Sequence, residues 1–353
     1  MGESFPRIEH ATTPTVTAPM GPCAVPCPPM PDTTVSAAVP APSATSTPSL
    51  IHARGLTKRF GEMTAVDAID FDVAPGESFG FLGPNGAGKT STMRMIACVS
   101  PITDGTLTVL GLDPGRDGPR IRGRLGVVPQ QDSLDQELTV RENLVMYGRY
   151  FGLSRAECAR RADELLDFAQ LVERSNDQVE HMSGGMKRRL TIARSLINEP
   201  DLLLLDEPTT GLDPQARHLL WDRLYRLKQR GVTLVLTSHY MDEAEQLCDR
   251  LVVVDKGKIM AEGTPAELIR RYSSREVLEV RFGSARNADI AEQLAGIGDR
   301  LEVLPDRILV YSANGEAELE RITDAGLHPL TSLVRRSSLE DVFLRLTGRT
   351  LIE

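Results

Sequence analysis

From Ile51 onward, short apolar runs alternate with longer amphipathic stretches. The short runs are Ser78–Leu82, Gly126–Val128, Leu202–Leu205, Val232–Leu236 and Leu251–Val254. Two of them, 202–205 and 251–254, are apolar without interruption, as expected of parallel strands covered on both faces. Helix starts are marked by side chains. Thr139 with Glu142 and Ser154 with Glu157 have the capping-box spacing, and Thr264-Pro265 with Glu267 joins an N-cap, an N1 proline and an N3 acid. This alternation predicts an α/β fold on a parallel sheet. Residues from about 131 to 185 carry few strand signals and predict an all-helical insertion. After Arg271 the composition shifts, and 276–353 reads as strand, helix, strand, helix, with Arg307–Tyr311 the clearest strand, enough for a small α+β domain.

Residues 1–50 follow neither period. They hold eleven of the 23 prolines and only four charged residues, Glu3, Arg7, Glu9 and Asp32. Proline at this density blocks helix and sheet ladders alike, so a disordered or polyproline-like tail is expected. Cys23 and Cys27 lie in it without a second ligand pair and read as free thiols. The expected organisation is a tail over 1–50, a main domain over 51–272 and an accessory domain over 276–353. The net charge of −9, from 40 Lys and Arg against 49 Asp and Glu, argues against a nucleic-acid partner. The longest strictly apolar run, Met95–Val99, is far short of the ~20 residues that cross a bilayer. The opening thirty residues lack the basic and apolar regions of a secretory signal. Five scattered cysteines suit a reducing cytoplasm.

The candidate chemistry begins at Gly83, Pro84, Asn85, Gly86, Ala87, Gly88, Lys89, Thr90 and Ser91. They match G-x-x-x-x-G-K-[ST] between a predicted strand and a predicted helix, where backbone N–H groups and the helix N-terminus cradle phosphates. Lys89 is placed for the β- and γ-phosphates, and the Thr90 hydroxyl for Mg²⁺. The run Leu202–Leu205 ends in Asp206 and Glu207, at the carboxyl end of a buried strand, where open α/β sheets hold ligands. Asp206 there suits Mg²⁺, and Glu207 suits the polarising of a water.

About twenty residues earlier stands Met182-Ser-Gly-Gly-Met-Lys-Arg-Arg-Leu-Thr-Ile-Ala-Arg194, whose Ser183 can cap a helix opening on Gly184 and Gly185. It resembles the signature motif of ATP-binding cassette (ABC) proteins. Gln130 in Gly126-Val-Val-Pro-Gln130, Gly211-Leu-Asp213 and Ser238-His239 resemble the family's Q-loop, D-loop and switch histidine. Phe60 falls where the family stacks an aromatic on adenine, although alone it fits a core aromatic equally well. Met186 and Met182 depart from the family's usual Gln and Leu, while the Ser183-Gly184-Gly185 core is intact. The match covers about 51–272. Val140–Leu144, Gly148–Gly152 and Ser338–Gly348 extend it toward the ATPase subunits of nodulation lipo-oligosaccharide and daunorubicin-type exporters, the last segment also being an amphipathic helix with Leu339, Val342, Phe343 and Leu346 on one face.

The resemblance implies an MgATP-hydrolysing subunit with Glu207 as general base, His239 on the γ-phosphate and Gln130, with Thr90 and Asp206, near the metal. It implies a head-to-tail homodimer, each ATP lying on one subunit's Lys89 and sealed by the other's Ser183 and Gly185. It also implies a peripheral place for this chain at the cytoplasmic face of the cell membrane, where a separate hydrophobic permease docks beside Gln130 and the helical insertion and exports a drug, glycolipid or lipo-oligosaccharide-like cargo. The alternative is a soluble ABC ATPase acting on ribosomes or DNA. A P-loop kinase is a third reading, disfavoured by the signature. The cluster Lys187-Arg188-Arg189 reads as a helix face rather than a nucleic-acid patch.

Overall fold

Three of the apolar runs, 78–82, 202–205 and 251–254, are buried at every position in the computed structural model, which describes residues 49–283 and 287–348. The proline-rich segment through residue 48, with Cys23 and Cys27, lies outside the described residues. Cys98, Cys158 and Cys248, inside them, are free thiols.

In chain order the strands are β1 (Ile51–Phe60), β2 (Met63–Val73), β3 (Ser78–Leu82), β4 (Asp104–Val109), β5 (Leu125–Val128), β6 (Leu202–Asp206), β7 (Thr233–Ser238), β8 (Arg250–Asp255), β9 (Lys258–Gly263), β10 (Glu276–Arg281), β11 (Arg300–Val303), β12 (Ile308–Ser312) and β13 (Thr331–Arg336). The helices are α1 (Lys89–Ile96), α2 (Pro114–Arg122), α3 (Val140–Tyr150), α4 (Arg155–Ala169), α5 (Gly184–Ser195), α6 (Pro214–Gln229), α7 (Met241–Leu247), α8 (Pro265–Tyr272), α9 (Asn287–Gln293), α10 (Gly315–Asp324) and α11 (Leu339–Thr347).

The central sheet runs β5-β6-β7-β3-β8-β9, parallel except for the antiparallel edge strand β9. Its strand order decides where chemistry can gather. β7 lies between β6 and β3, with Leu82 opposite Ser238 and Asp206 opposite Thr237. The loops leaving β3, β6 and β7 therefore emerge side by side at the carboxyl edge. Helices α3, α4 and the start of α5 form the insertion around Val140, Leu144, Ala162, Leu166 and Leu190. The capping boxes at Thr139–Glu142 and Thr264–Glu267 are both formed.

Two features differ from the sequence expectation. An antiparallel sheet, β2-β1-β4, packs on α1 and the central sheet through Phe71, Phe79 and Phe81. Register shifts at three places in the β1–β2 pairing break its alternation, so no simple period marks it. The C-terminal segment has four strands, ordered β11-β12-β10-β13, rather than two. β11 has no fully buried residue and β13 none either, so neither shows an apolar run. On one face of this sheet α9 and α10 contribute Ile290 and Ile322 to a core that Leu294, just past α9, also joins. Helix α11 touches the other face through Leu344 and sends Leu339, Val342 and Phe343 into the core that holds Leu247, Leu251 and Leu268.

Candidate nucleotide site

The turn from β3 to α1 is shaped by glycine. Gly88, at φ +100°, adopts a conformation that side chains rarely take, and a Cβ there would lie 2.3 Å from the Ala65 carbonyl oxygen. A Cβ on Gly83 would lie 2.2 Å from the Val254 oxygen. Ala87 is buried and its carbonyl accepts from the Gly257 N–H at 3.1 Å, while Asn85 and Gly86 at the tip are exposed and Pro84, Thr90 and Ser91 are half-buried. No side chain caps α1, so its first-turn amides are available to an anion. Gly88→Ala is expected to weaken ATP binding at least about tenfold, because the strained turn must move by more than its roughly 1–3 kcal/mol allowance. Titration with a fluorescent ATP analogue checks this, with circular dichroism confirming the fold.

Lys89 is buried, and its ammonium donates to the Gly83 and Pro84 carbonyls at 2.8 and 3.0 Å, 3.6 Å from Glu207 Oε1. Burial pushes its pKa down, against the pull of Glu207 and Asp206. Thr90 Oγ1 donates to Asp206 Oδ1 at 3.2 Å, and Thr237 Oγ1 donates to the same oxygen at 2.6 Å. Among the described residues no group of three or more His, Cys, Asp or Glu could hold a metal. The Thr90–Asp206 oxygen pair instead fits an ion that keeps several waters and takes substrate phosphates, as Mg²⁺ does.

Glu207 turns the chain sharply out of β6 with φ +48°. Its Oε2 accepts from Gln130 Nε2 at 3.0 Å and Thr210 Oγ1 at 3.2 Å. Its Oε1 faces Lys89 and, at 3.3 Å, His239 Nδ1. The His239 ring, with Lys89 behind it, overcomes burial and holds the Glu207 carboxyl down at about 2. His239 lies with its ring centroid 4.0 Å from that of Tyr240, over which Arg217 also sits at 4.6 Å.

Ser183 caps α5 as its spacing predicts, accepting from the Met186 N–H at 3.3 Å. Ser183 and Gly184 are exposed. Ser183, Gly185 and Asp213 edge a cleft with Met186, Arg189 and Gln215, and no glycine-loop residue lines it. Asp213 Oδ1 also caps α6 through the Ala216 N–H at 2.8 Å. The structure thus gathers Lys89, Thr90, Gln130, Asp206, Glu207 and His239 into one cluster and sets the signature with Asp213 in another. Phe60, at the end of β1, is 48% exposed with Lys58 Nζ 4.9 Å from its ring centre, a solvent-facing aromatic rather than a core one.

The Lys187-Arg188-Arg189 triplet lies on α5, where Lys187 and Arg189 are half-buried and Arg188 turns inward. Arg188 is buried and donates to the Pro129, Asp206, Glu207 and Pro208 carbonyls at 2.6 to 3.0 Å. The signal was its helical spacing, since Arg188, Thr191 and Ser195 share one face of α5 and all three are buried. Thr237 and Thr210, which hold Asp206 and Glu207, carry no motif of their own.

Residues 66–210 match the ABC transporter family and 287–348 the C-terminal domain of the nodulation factor export protein NodI. A Nod factor export ATP-binding protein I of Paraburkholderia xenovorans is 48% identical over 294 residues, covering 83% of this chain and 95% of that protein. The chain belongs to the ABC transporter family of ATP-binding proteins. A second relative of this ABC protein with the same name, from Ralstonia nicotianae, is 48% identical over 88% of this chain and 98% of its own. Among solved structures, the ATP-binding subunit of an ABC transporter aligns at 32% identity with a TM-score of 0.58, covering 64% of this chain and 93% of that one. A dimeric ATP-binding cassette in a post-hydrolysis state, bound to ADP and Pi, aligns at 27% identity with a TM-score of 0.57, covering 61% and 98%. The ABC protein's α/β fold is therefore that of the P-loop ABC ATPases.

Proposed function

We propose that this ABC protein hydrolyses ATP as the engine of an exporter, coupling dimer closure to efflux through a separate permease. The observation that carries the reading is the convergence of Lys89, Thr90, Asp206, Glu207, Gln130 and His239 at one sheet edge. The Gly83–Ser91 loop and Lys89 bind the phosphates, and Phe60 is free to stack on the base. Thr90 and Asp206, with Gln130 nearby, hold Mg²⁺, which when bound neutralises charge on the β- and γ-phosphate oxygens. Glu207, kept ionised, takes the proton of the attacking water, and His239 holds the γ-phosphate. Beside His239 and Lys89 the carboxylate is held ionised, so its oxygens are unprotonated acceptors.

The second cluster has no phosphate loop of its own, which supports a head-to-tail homodimer in which Ser183, Gly184, Gly185 and Asp213 of one subunit close on the ATP of the other. The dimeric cassette among the similar structures supports a dimer. Lys89→Ala and Gly185→Asp test it, since each is expected to be inactive alone. Mixed in equal amounts they are expected to recover roughly a quarter of wild-type turnover, because about half of randomly paired dimers then hold one complete site. A mixture as inactive as its components overturns the arrangement.

The permease reading draws on a groove of about 930 Å³ beside Gln130, lined by Val99, Tyr147, Tyr150 and Phe151. Tyr150 is 73% and Val99 66% exposed, an apolar surface suited to a partner. Among the described residues no helix is long and apolar enough to cross a membrane. In this reading a separate permease supplies the spanning part, and this chain works at the membrane's cytoplasmic face. The relatives named for Nod factor export favour a lipo-oligosaccharide-like cargo over action on ribosomes or DNA.

A further inference from the structure

Glu243, on α7, is wholly buried, and nothing in the proposed hydrolytic machinery uses it. Its carboxylate faces the Thr209 and Ser238 hydroxyls, the Trp221 indole N–H and the Arg217 guanidinium. None of the Thr209, Trp221 or Arg217 contacts is a formed hydrogen bond. Both Glu243 oxygens, Thr209 Oγ1, Trp221 Nε1 and Arg217 Nε are buried without a partner. The set is complementary, with acceptors on one residue and donors on three. Ser238 is engaged elsewhere, donating to the Tyr240 carbonyl at 3.1 Å and accepting from the Tyr240 N–H at 2.9 Å.

The neighbours are informative by position. Thr209 lies between Glu207 and Thr210, in the loop leaving β6, and Ser238 immediately precedes His239, in the loop leaving β7. These are the two loops that bring Glu207 and His239 to 3.3 Å of each other. Arg217, on α6, reaches over Tyr240, the residue after His239. A buried carboxyl is expensive, and an apolar residue of the same size would pack here at no such cost. Burial also raises the Glu243 pKa above the ordinary carboxyl range.

We propose that Glu243 is a positioning residue for hydrolysis, which links Thr209, in the loop of Glu207, to Arg217, which reaches over Tyr240 beside His239, and so fixes the spacing of the two loops when the site closes. The proposal rests on the reading of Glu207 and His239 given above. It gives the orphaned donors a use, since a small shift of the Thr209 loop completes hydrogen bonds that the structure leaves unmade.

Glu243→Met removes the acceptors at similar volume. It is expected to keep or raise the melting temperature, leave the KM for ATP within about twofold, and lower kcat about tenfold. Thr209→Val removes one donor isosterically and should lower kcat with KM likewise unchanged. The double variant should lose no more than the worse single one, because the two groups act through one contact. Unchanged kcat in Glu243→Met overturns the proposal, as does a fall in kcat that follows a fall in melting temperature. If Glu243→Met does not fold, the decision passes to Thr209→Val, and a wild-type kcat there overturns it. Wild-type protein without ATPase activity would instead overturn the hydrolytic reading itself, and the proposal with it.

Discussion

Glu207→Gln is expected to bind ATP as the wild type does while turnover falls about 10²–10⁴-fold, the range that a positioned general base supplies. The amide keeps the shape of the carboxyl, and its oxygen can still accept from Gln130 and Thr210, which now hold Glu207 Oε2 at 3.0 and 3.2 Å. It cannot accept the water's proton. It also removes the negative charge 3.6 Å from Lys89 Nζ and 3.3 Å from His239 Nδ1, freeing both for the phosphates. Closure biased by the γ-phosphate then has no exit through hydrolysis, so the variant should accumulate as an ATP-bound dimer. Size-exclusion chromatography with and without MgATP reads the dimer, and phosphate release reads turnover. A variant with wild-type turnover would remove Glu207 from the base role.

Much of this site is legible in the sequence because its parts are backbone-driven. The glycine loop needs small residues at fixed offsets, Asp206 needs an apolar strand before it, and Ser183 needs a helix to cap. Each leaves a spacing. The buried strands announced themselves in the same way, and β6 and β8 lie within a residue or two of their apolar runs. What escaped is tertiary. Thr237 reaches Asp206 only because β6 and β7 are neighbours, a pairing between residues 31 apart that no local pattern encodes. Thr210 looks like any turn residue until its hydroxyl is seen on Glu207. The β2-β1-β4 sheet escaped because its bulged register destroys alternation, and β11 and β13 because they lie at the sheet's edges and bury little.

The strand order also explains how two chemically distant motifs come to share a site. Gln130 follows β5 and His239 follows β7, yet both meet Glu207, which leaves the strand between them. Glu207 Oε2 is met by groups on the side of the helical insertion and the D-loop, while Oε1 is met by Lys89 and the switch histidine. The carboxylate is thus the point where the surface beside the groove and the phosphate loop are in contact, so in the proposed mechanism a displacement of Gln130 by a partner in that groove would reach Glu207 first.

Arg188→Met is expected to be the most destabilising of these substitutions, at about 3–5 kcal/mol, the cost of breaking a buried hydrogen-bonded charge. At about 2.1 cal/mol/K per residue over roughly 300 folded residues, that lowers the melting temperature by roughly 5–8 °C. Arg188 is 4% exposed and answers four carbonyls, those of Pro129, Asp206, Glu207 and Pro208, at or just beyond the ends of β5 and β6. Methionine fills the volume but leaves those oxygens buried without donors. Burial already disfavours the charge at this position, and the nearby carboxylates of Asp132, Glu243, Asp206 and Glu207 draw it back. Arg188→Lys retains that charge but has no planar fork to serve carbonyls on two strands, so it should recover only part of the stability. Because Arg188 belongs to the helix that Ser183 caps, it physically joins the signature to the backbone of Asp206 and Glu207. Turnover in the lysine variant should therefore fall further than its melting temperature alone accounts for. Differential scanning calorimetry beside phosphate release separates the two effects, and a lysine variant with wild-type turnover would show that Arg188 only supports the fold.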